Sequence, residues 1–123
     1  MWQGVIIEES LKDKRLLELV KILKISEATL ESESGRGVFH FSQFELPEEK
    51  RVEFIEMAKK AIKPGFYLHL VHNDTLTVVM AGKVFSAIRG QAEQFETIRK
   101  EAMKTGIHPD QLPLEQLLDN PFT

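Results

Sequence analysis

Gly4-Val5-Ile6-Ile7 is apolar at successive positions, the pattern of a central strand covered on both faces, and it predicts a first strand over 3–8. Ser10 followed by Asp13 makes a loose capping pattern, and Leu16, Leu17, Val20 and Leu23 then recur at helical spacing. A helix is therefore expected from about Asp13 to Lys24. The segment Glu27 to Ser34 is polar with weak alternation, and Gly35-Arg36-Gly37 supplies the backbone freedom of a tight reversal, which together predict a hairpin with an edge strand. Its second arm, Val38 to Phe44, is rich in aromatic residues.

Pro47 suits the first turn of a helix, and Glu48 and Glu49 suit the positive end of its dipole. The apolar stripe of that helix is read as Val52, Ile55, Ala58 and Ile62, with Lys63-Pro64-Gly65 as its stop. Strands over 66–72, 75–81 and 84–89 follow, separated by His72-Asn73-Asp74 and Gly82-Lys83. A last long helix from near Gln91 is expected to bury Ala92, Phe95, Ile98 and Ala102 and to end at Gly106, with Ile107 making the apolar contact of its cap. Leu114, Leu117 and Leu118 form one short apolar turn beyond it.

This order predicts an α+β fold: a ferredoxin-like split βαβ sandwich with an added C-terminal β-hairpin and helix, its sheet mainly antiparallel and its helices on one face. A chain of 123 residues suits one domain, 1–123, with a core that needs neither disulfide nor metal. The register of the 66–72 and 75–81 hairpin follows from how its apolar side chains sort. A two-residue Asn73-Asp74 loop would mix Thr77 with Leu70 and Met80 with Tyr67, whereas a three-residue loop, His72 to Asp74, separates them. The sorted register is the expectation. It turns Tyr67, His69, Val71, Thr77, Val79 and Ile88 away from the helices, a partly apolar face that wants cover from the C-terminal tail, a second subunit or a ligand.

Charge narrows the partners. A net charge of −3 disfavours binding to a phosphate backbone, and the basic residues are interspersed with acidic ones, so no nucleic acid is expected. No stretch approaches the ~20 apolar residues of a membrane span and no basic-then-apolar leader opens the chain, which predicts a cytoplasmic protein without a membrane partner. The absence of cysteine excludes disulfides, thiolate metal sites and thiol nucleophiles.

Histidine is the candidate for acid–base chemistry near neutral pH. His69 with Tyr67 and Thr77 would form a polar cluster on the outward face, although a histidine packed under the tail is the commoner situation. His40 projects outward if Phe39 and Phe41 point inward. Glu8 and Glu9 stand at the end of a central strand, where α/β sites gather residues, although strand-end charges beside a helix cap are the commoner explanation. His40, Glu8 and Glu9 are therefore secondary candidates. The Gly-containing segments lack phosphate-loop spacing, and no metal site or cofactor is expected.

Three stretches, Gly4 to Leu11, Lys63 to His69 and Gly106 to Leu112, resemble a small family of uncharacterised prokaryotic proteins over the whole chain. The resemblance implies a single prokaryotic-type domain and carries no activity. The residues point to a non-enzymatic binding or protein-interaction module that uses the outward sheet face, partnered by itself as a homodimer or by another protein. A small metal-dependent or acid–base enzyme, or a small-ligand regulatory domain, is the alternative.

Overall fold

The computed structural model describes residues 1–28 and 37–122. Six strands, β1 (Trp2–Ile7), β2 (Lys21–Ala28), β3 (Phe39–Leu46), β4 (Tyr67–His72), β5 (Thr75–Met80) and β6 (Lys83–Ile88), form one antiparallel sheet in the order β2-β3-β1-β4-β5-β6. Among the described residues three α-helices accompany it: α1 (Arg51–Ala61), α2 (Ala92–Lys104) and α3 (Leu114–Asp119). The protein belongs to the α+β class. Its β3 and β4 both run antiparallel to β1, which lies between them, and α1 makes the crossover.

The helix expected over Asp13 to Lys24 does not form. Lys14–Leu19 is a 3-10 segment, capped by the Asp13 side chain accepting from the Arg15 amide, and the chain then enters β2. Only Leu16 of the supposed stripe is fully buried, and Leu23 is exposed, so no helical face could have been sunk in the core. The β-branched Val20, Ile22 and Ile25 favour extended backbone. A bulge between Ile22 and Lys24 breaks the two-residue alternation that would have announced the strand. The expected edge strand overlaps β2 at 27–28, and the rest of it, with the Gly35-Arg36 part of the turn, lies outside the described residues.

In α1 the buried positions are Phe54, Ile55, Ala58 and Ala61, while Val52, assigned to the stripe by spacing, faces solvent. A 3-10 turn, Glu48–Lys50, precedes the helix, and Ile55, Ala58 and Ile62 of the expected stripe are buried. The last long helix follows the expectation closely. Helix α2 buries Phe95, Ile98 and Ala102, though Ala92 is exposed. It ends at Gly106 in the left-handed region, with the Ile107 amide reaching back to the Ala102 carbonyl and the Ile107 side chain buried.

The β4–β5 turn has two residues, because His72 pairs with Thr75 and Asn73 takes a φ of 53°. Asparagine tolerates that left-handed conformation, which the tight turns matching strand twist require. The register is thus the mixed one: Leu70 opposes Thr77 and Tyr67 opposes Met80. The expectation of a sorted sheet with helices on one face fails because helices cover both faces. On one, α1 packs Phe54, Ile55 and Ala58 toward Ile6, Phe44, Leu46, Leu68, Leu70 and Val79. On the other, α2 and α3 bring Phe95, Ile98, Leu114 and Leu117 against Val71, Leu76, Val78 and Met80.

Trp2 closes one end of the α1 side. Its ring lies 4.7 Å from the Arg51 guanidinium and 5.3 Å from the His72 ring, and its Nε1–H donates to Glu48. Gly4 sits where β1 passes between β3 and β4, and a Cβ there would come within 1.9 Å of the His69 carbonyl oxygen. Backbone, unlike a flexible side chain, cannot yield to such a contact. Gly4→Ala is therefore expected to destabilise the protein by at least about 3 kcal/mol, read as a lowered midpoint in urea unfolding, and a change below about 1 kcal/mol would contradict this packing.

Candidate functional site

The six residues expected to share one face are divided between two. Tyr67, His69 and Val71 look toward α2, α3 and the tail, whereas Thr77, Val79 and Ile88 lie on the α1 side of the sheet. Thr77 is buried, and its hydroxyl is 3.1 Å from that of Ser86. Val79 is also buried, and Ile88 on the outer strand β6 is half exposed. A cluster of Tyr67, His69 and Thr77 is therefore not formed.

Tyr67 and His69 are covered by the C-terminal segment. The Tyr67 hydroxyl donates to the Gln111 carbonyl, and the His69 Nε2–H donates to the Pro121 carbonyl at 2.6 Å. Two successive inward positions of β4 thus tie down the start and the end of the tail, with the leucines of α3 between them. Burial pushes the Tyr67 hydroxyl pKa up and drives the His69 imidazole down to about 4, against a smaller opposing pull from the Pro121 carbonyl. His69 is a neutral latch between sheet and tail. It offers no exposed group to a ligand.

The secondary candidates do come together. Strand β1 ends at Ile7, opposite Phe41, and the chain turns away into the 3-10 turn Glu8–Ser10, fixed by the Ser10 hydroxyl donating to the Ile7 carbonyl at 2.5 Å. Among the described residues, residue 40 of β3 is thereby left without a strand-pairing partner on that side. The Glu9 carboxylate fills the gap, accepting the His40 amide at 2.7 Å through Oε1 and lying 2.5 Å from Nδ1 through Oε2. On the other side His40 opposes Glu27 of β2, whose Oε1 is 3.1 Å from Nε2. Glu8 is not part of this group and pairs with Lys14 at 3.3 Å.

The hydrogen bond to Glu9, with a smaller one to Glu27, raises the His40 pKa above its usual value. Partial burial pushes Glu9 upward, but the His40 amide and ring together outweigh it and hold the carboxyl below the usual range. The arrangement favours an imidazolium gripped by two carboxylates. With each ring nitrogen engaged, His40 presents no free lone pair to a substrate or metal, and among the described residues no group of three His, Cys, Asp or Glu is arranged to hold an ion. Glu27 was missed because it lay in a polar stretch with no clear period.

His72 and Asp74, which flank the β4–β5 turn, face different partners: His72 Nδ1–H donates to the Met1 carbonyl at 2.9 Å, while Asp74 binds Arg89 at 2.8 Å. An open cleft of about 340 Å³ lies between the 3-10 segment and α1, lined by Asp13, Arg15, Glu56, Met57, Lys60 and Ala61. Asp13 and Arg15 neutralise one another there at 2.7 Å, and Glu56 is paired with Lys59.

The remaining exceptional surface is β2. Seven of its eight residues are exposed, and among the described residues it pairs with β3 alone and forms one end of the sheet. Leu23 and Ile25 are 42% and 57% exposed. Compared with family models, curated proteins and solved structures, the chain matches none, so this geometry is what bears on function. No helix among the described residues is long and apolar enough to cross a membrane.

The buried latch has a pH signature. Unfolded His69 takes up a proton near 6.5 and the folded form only near 4, so its contribution to stability is full above about 6.5 and is lost as pH falls through that interval. The loss is on the order of 3 kcal/mol, capped by whatever it costs the tail to lift away. Urea unfolding between pH 7.5 and 4 should show this decline, and His69→Gln, which retains a donor for Pro121 without titrating there, should flatten it. Equal slopes for the two proteins would contradict the latch.

Proposed function

We propose that the protein is a non-enzymatic interaction module whose docking element is the outer strand β2, and that the occupant is β2 of a second copy. The observation that carries this reading is that, among the described residues, β2 is hydrogen-bonded along one side only, with exposed side chains on both faces. An unpaired strand edge is a template for another strand, the backbone supplying affinity and the side chains specificity. Lys21, Lys24 and the bulge at Leu23 blunt the first half of the edge, while Ile25 to Ala28 carries no bulge.

The side chains of that unguarded half are compatible with themselves. Antiparallel pairing about a two-fold axis at Ile25 sets Ile25 against Ile25 and Lys24 against Ser26, so no like charges stand directly opposite. This moves the interaction surface from the sheet face expected at first to the sheet edge, since the tail already occupies the side bearing Tyr67, His69 and Val71. Another protein offering an extended apolar segment would use the same edge.

The architecture is proposed to be a ferredoxin-like derivative in which a 3-10 connection stands in place of the first helix. What supports it is the pair of crossovers, β1 to β2 around β3 and β3 to β4 around β1. A cytoplasmic setting fits a chain without cysteine. Sedimentation of the purified protein should show a concentration-dependent dimer, and Ile25→Glu should weaken association at least about tenfold while leaving the unfolding midpoint within about 0.5 kcal/mol. A wild-type monomer at all concentrations, or a dimer indifferent to Ile25→Glu, would remove the self-pairing reading.

A further inference from the structure

A neutral imidazole has one N–H, yet both ring nitrogens of His40 lie within hydrogen-bond distance of a carboxylate oxygen, 2.5 Å from Glu9 and 3.1 Å from Glu27. The two contacts can be hydrogen bonds together only when the ring carries both protons. They also join three separate pieces of chain: the 3-10 turn after β1, strand β3 and the last residues of β2. We propose that Glu9, His40 and Glu27 form a proton-dependent clasp that fastens the C-terminal end of β2 while His40 is doubly protonated and releases Glu27 when one proton leaves.

The geometry assigns which bond is lost. Glu9 is anchored by the His40 amide as well as by the ring and its side chain is 35% exposed, whereas Glu27 depends on the ring alone and its side chain is 67% exposed. The remaining proton therefore stays on Nδ1, facing Glu9. The Nε2 lone pair then opposes the Glu27 carboxylate, which water receives readily.

Among the described residues, the charged groups that act on the ring are Glu9 from the turn and Glu27 from β2. Glu8 is engaged by Lys14, and Lys24 of β2 opposes Gln43, which puts it on the other face of the sheet from His40. Strand β1 ends beside the site in the apolar Ile7, and Ile25, opposite Ser42, is the apolar neighbour on β2. Both acting charges are negative, so both favour the imidazolium, in keeping with the raised pKa of His40. The clasp is complete below the ordinary histidine value of 6.5 and opens as pH rises through the higher value of the folded protein. Its consequence for docking rests on the reading of β2 as the interface, but the clasp itself does not.

The test is a titration of the isolated protein followed by the His40 ring ¹H–¹⁵N signals, at a concentration where sedimentation finds monomer. Wild type should titrate above 6.5 and end at high pH as the Nδ1–H tautomer, the rarer one in water. Glu27→Gln should lower the midpoint and keep that tautomer, while Glu9→Gln should lower it further and shift the proton to Nε2. Exchange of the amides of residues 26–28 should rise across the wild-type midpoint beyond the ordinary base-catalysed increase, and this step should be absent in Glu27→Gln. A wild-type midpoint at or below 6.5, or an Nε2–H tautomer at high pH, would overturn the clasp whatever the fate of the dimer.

Discussion

The two-residue reversal at Asn73 and Asp74 is the constraint on which the rest of the molecule depends. Because side chains alternate along a strand, adding one residue to that loop would exchange every inward and outward position of β5 relative to β4. With Asn73 at a φ of 53° the loop closes in two residues, and Leu68, Leu70, Thr77 and Val79 are committed to one layer, Tyr67, His69, Val71, Leu76, Val78 and Met80 to the other. Each set is mostly apolar with polar members, so neither face can be left to water and neither can be packed without polar provision. Thr77 meets Ser86, and Tyr67 and His69 meet tail carbonyls.

From that register follows the division of cover. Helix α1 and the 3-10 segment cover one face, and α2, α3 and the tail cover the β4–β6 part of the other. The sheet is wider than either layer, and strand β2 projects past both. Its exposure is thus a consequence of how the helices are distributed and not of a weak pairing, since β2 runs beside β3 from Lys21 to Ala28.

Much of the C-terminal half was legible in the sequence because its signals are local: strand limits, the Phe95-Ile98-Ala102 stripe, and the Gly106-Ile107 cap all rest on neighbours within one turn. The sequence misled in two places for one reason. Leu16, Leu17, Val20 and Leu23 have helical spacing, but spacing says nothing about whether a covering layer exists, and Leu23 has none. The hairpin register failed likewise, because sorting side chains into one apolar and one polar face presumes a sheet covered once. His40 and Glu9 could be named from sequence as candidates. Their meeting could not, because it depends on β1 turning away at Ile7 and leaving a gap beside β3 that only a side chain fills.

The central claim is that β2 is an open edge made to receive a strand. It is tested most directly by residue-resolved amide exchange at two protein concentrations spanning the association range. The account predicts that the outward amides of Ile25 to Ala28 exchange rapidly when dilute and become protected when concentrated, while the amides directed at β3 are protected throughout. Outward amides that exchange alike at both concentrations, or concentration-dependent protection confined to β6, would contradict it.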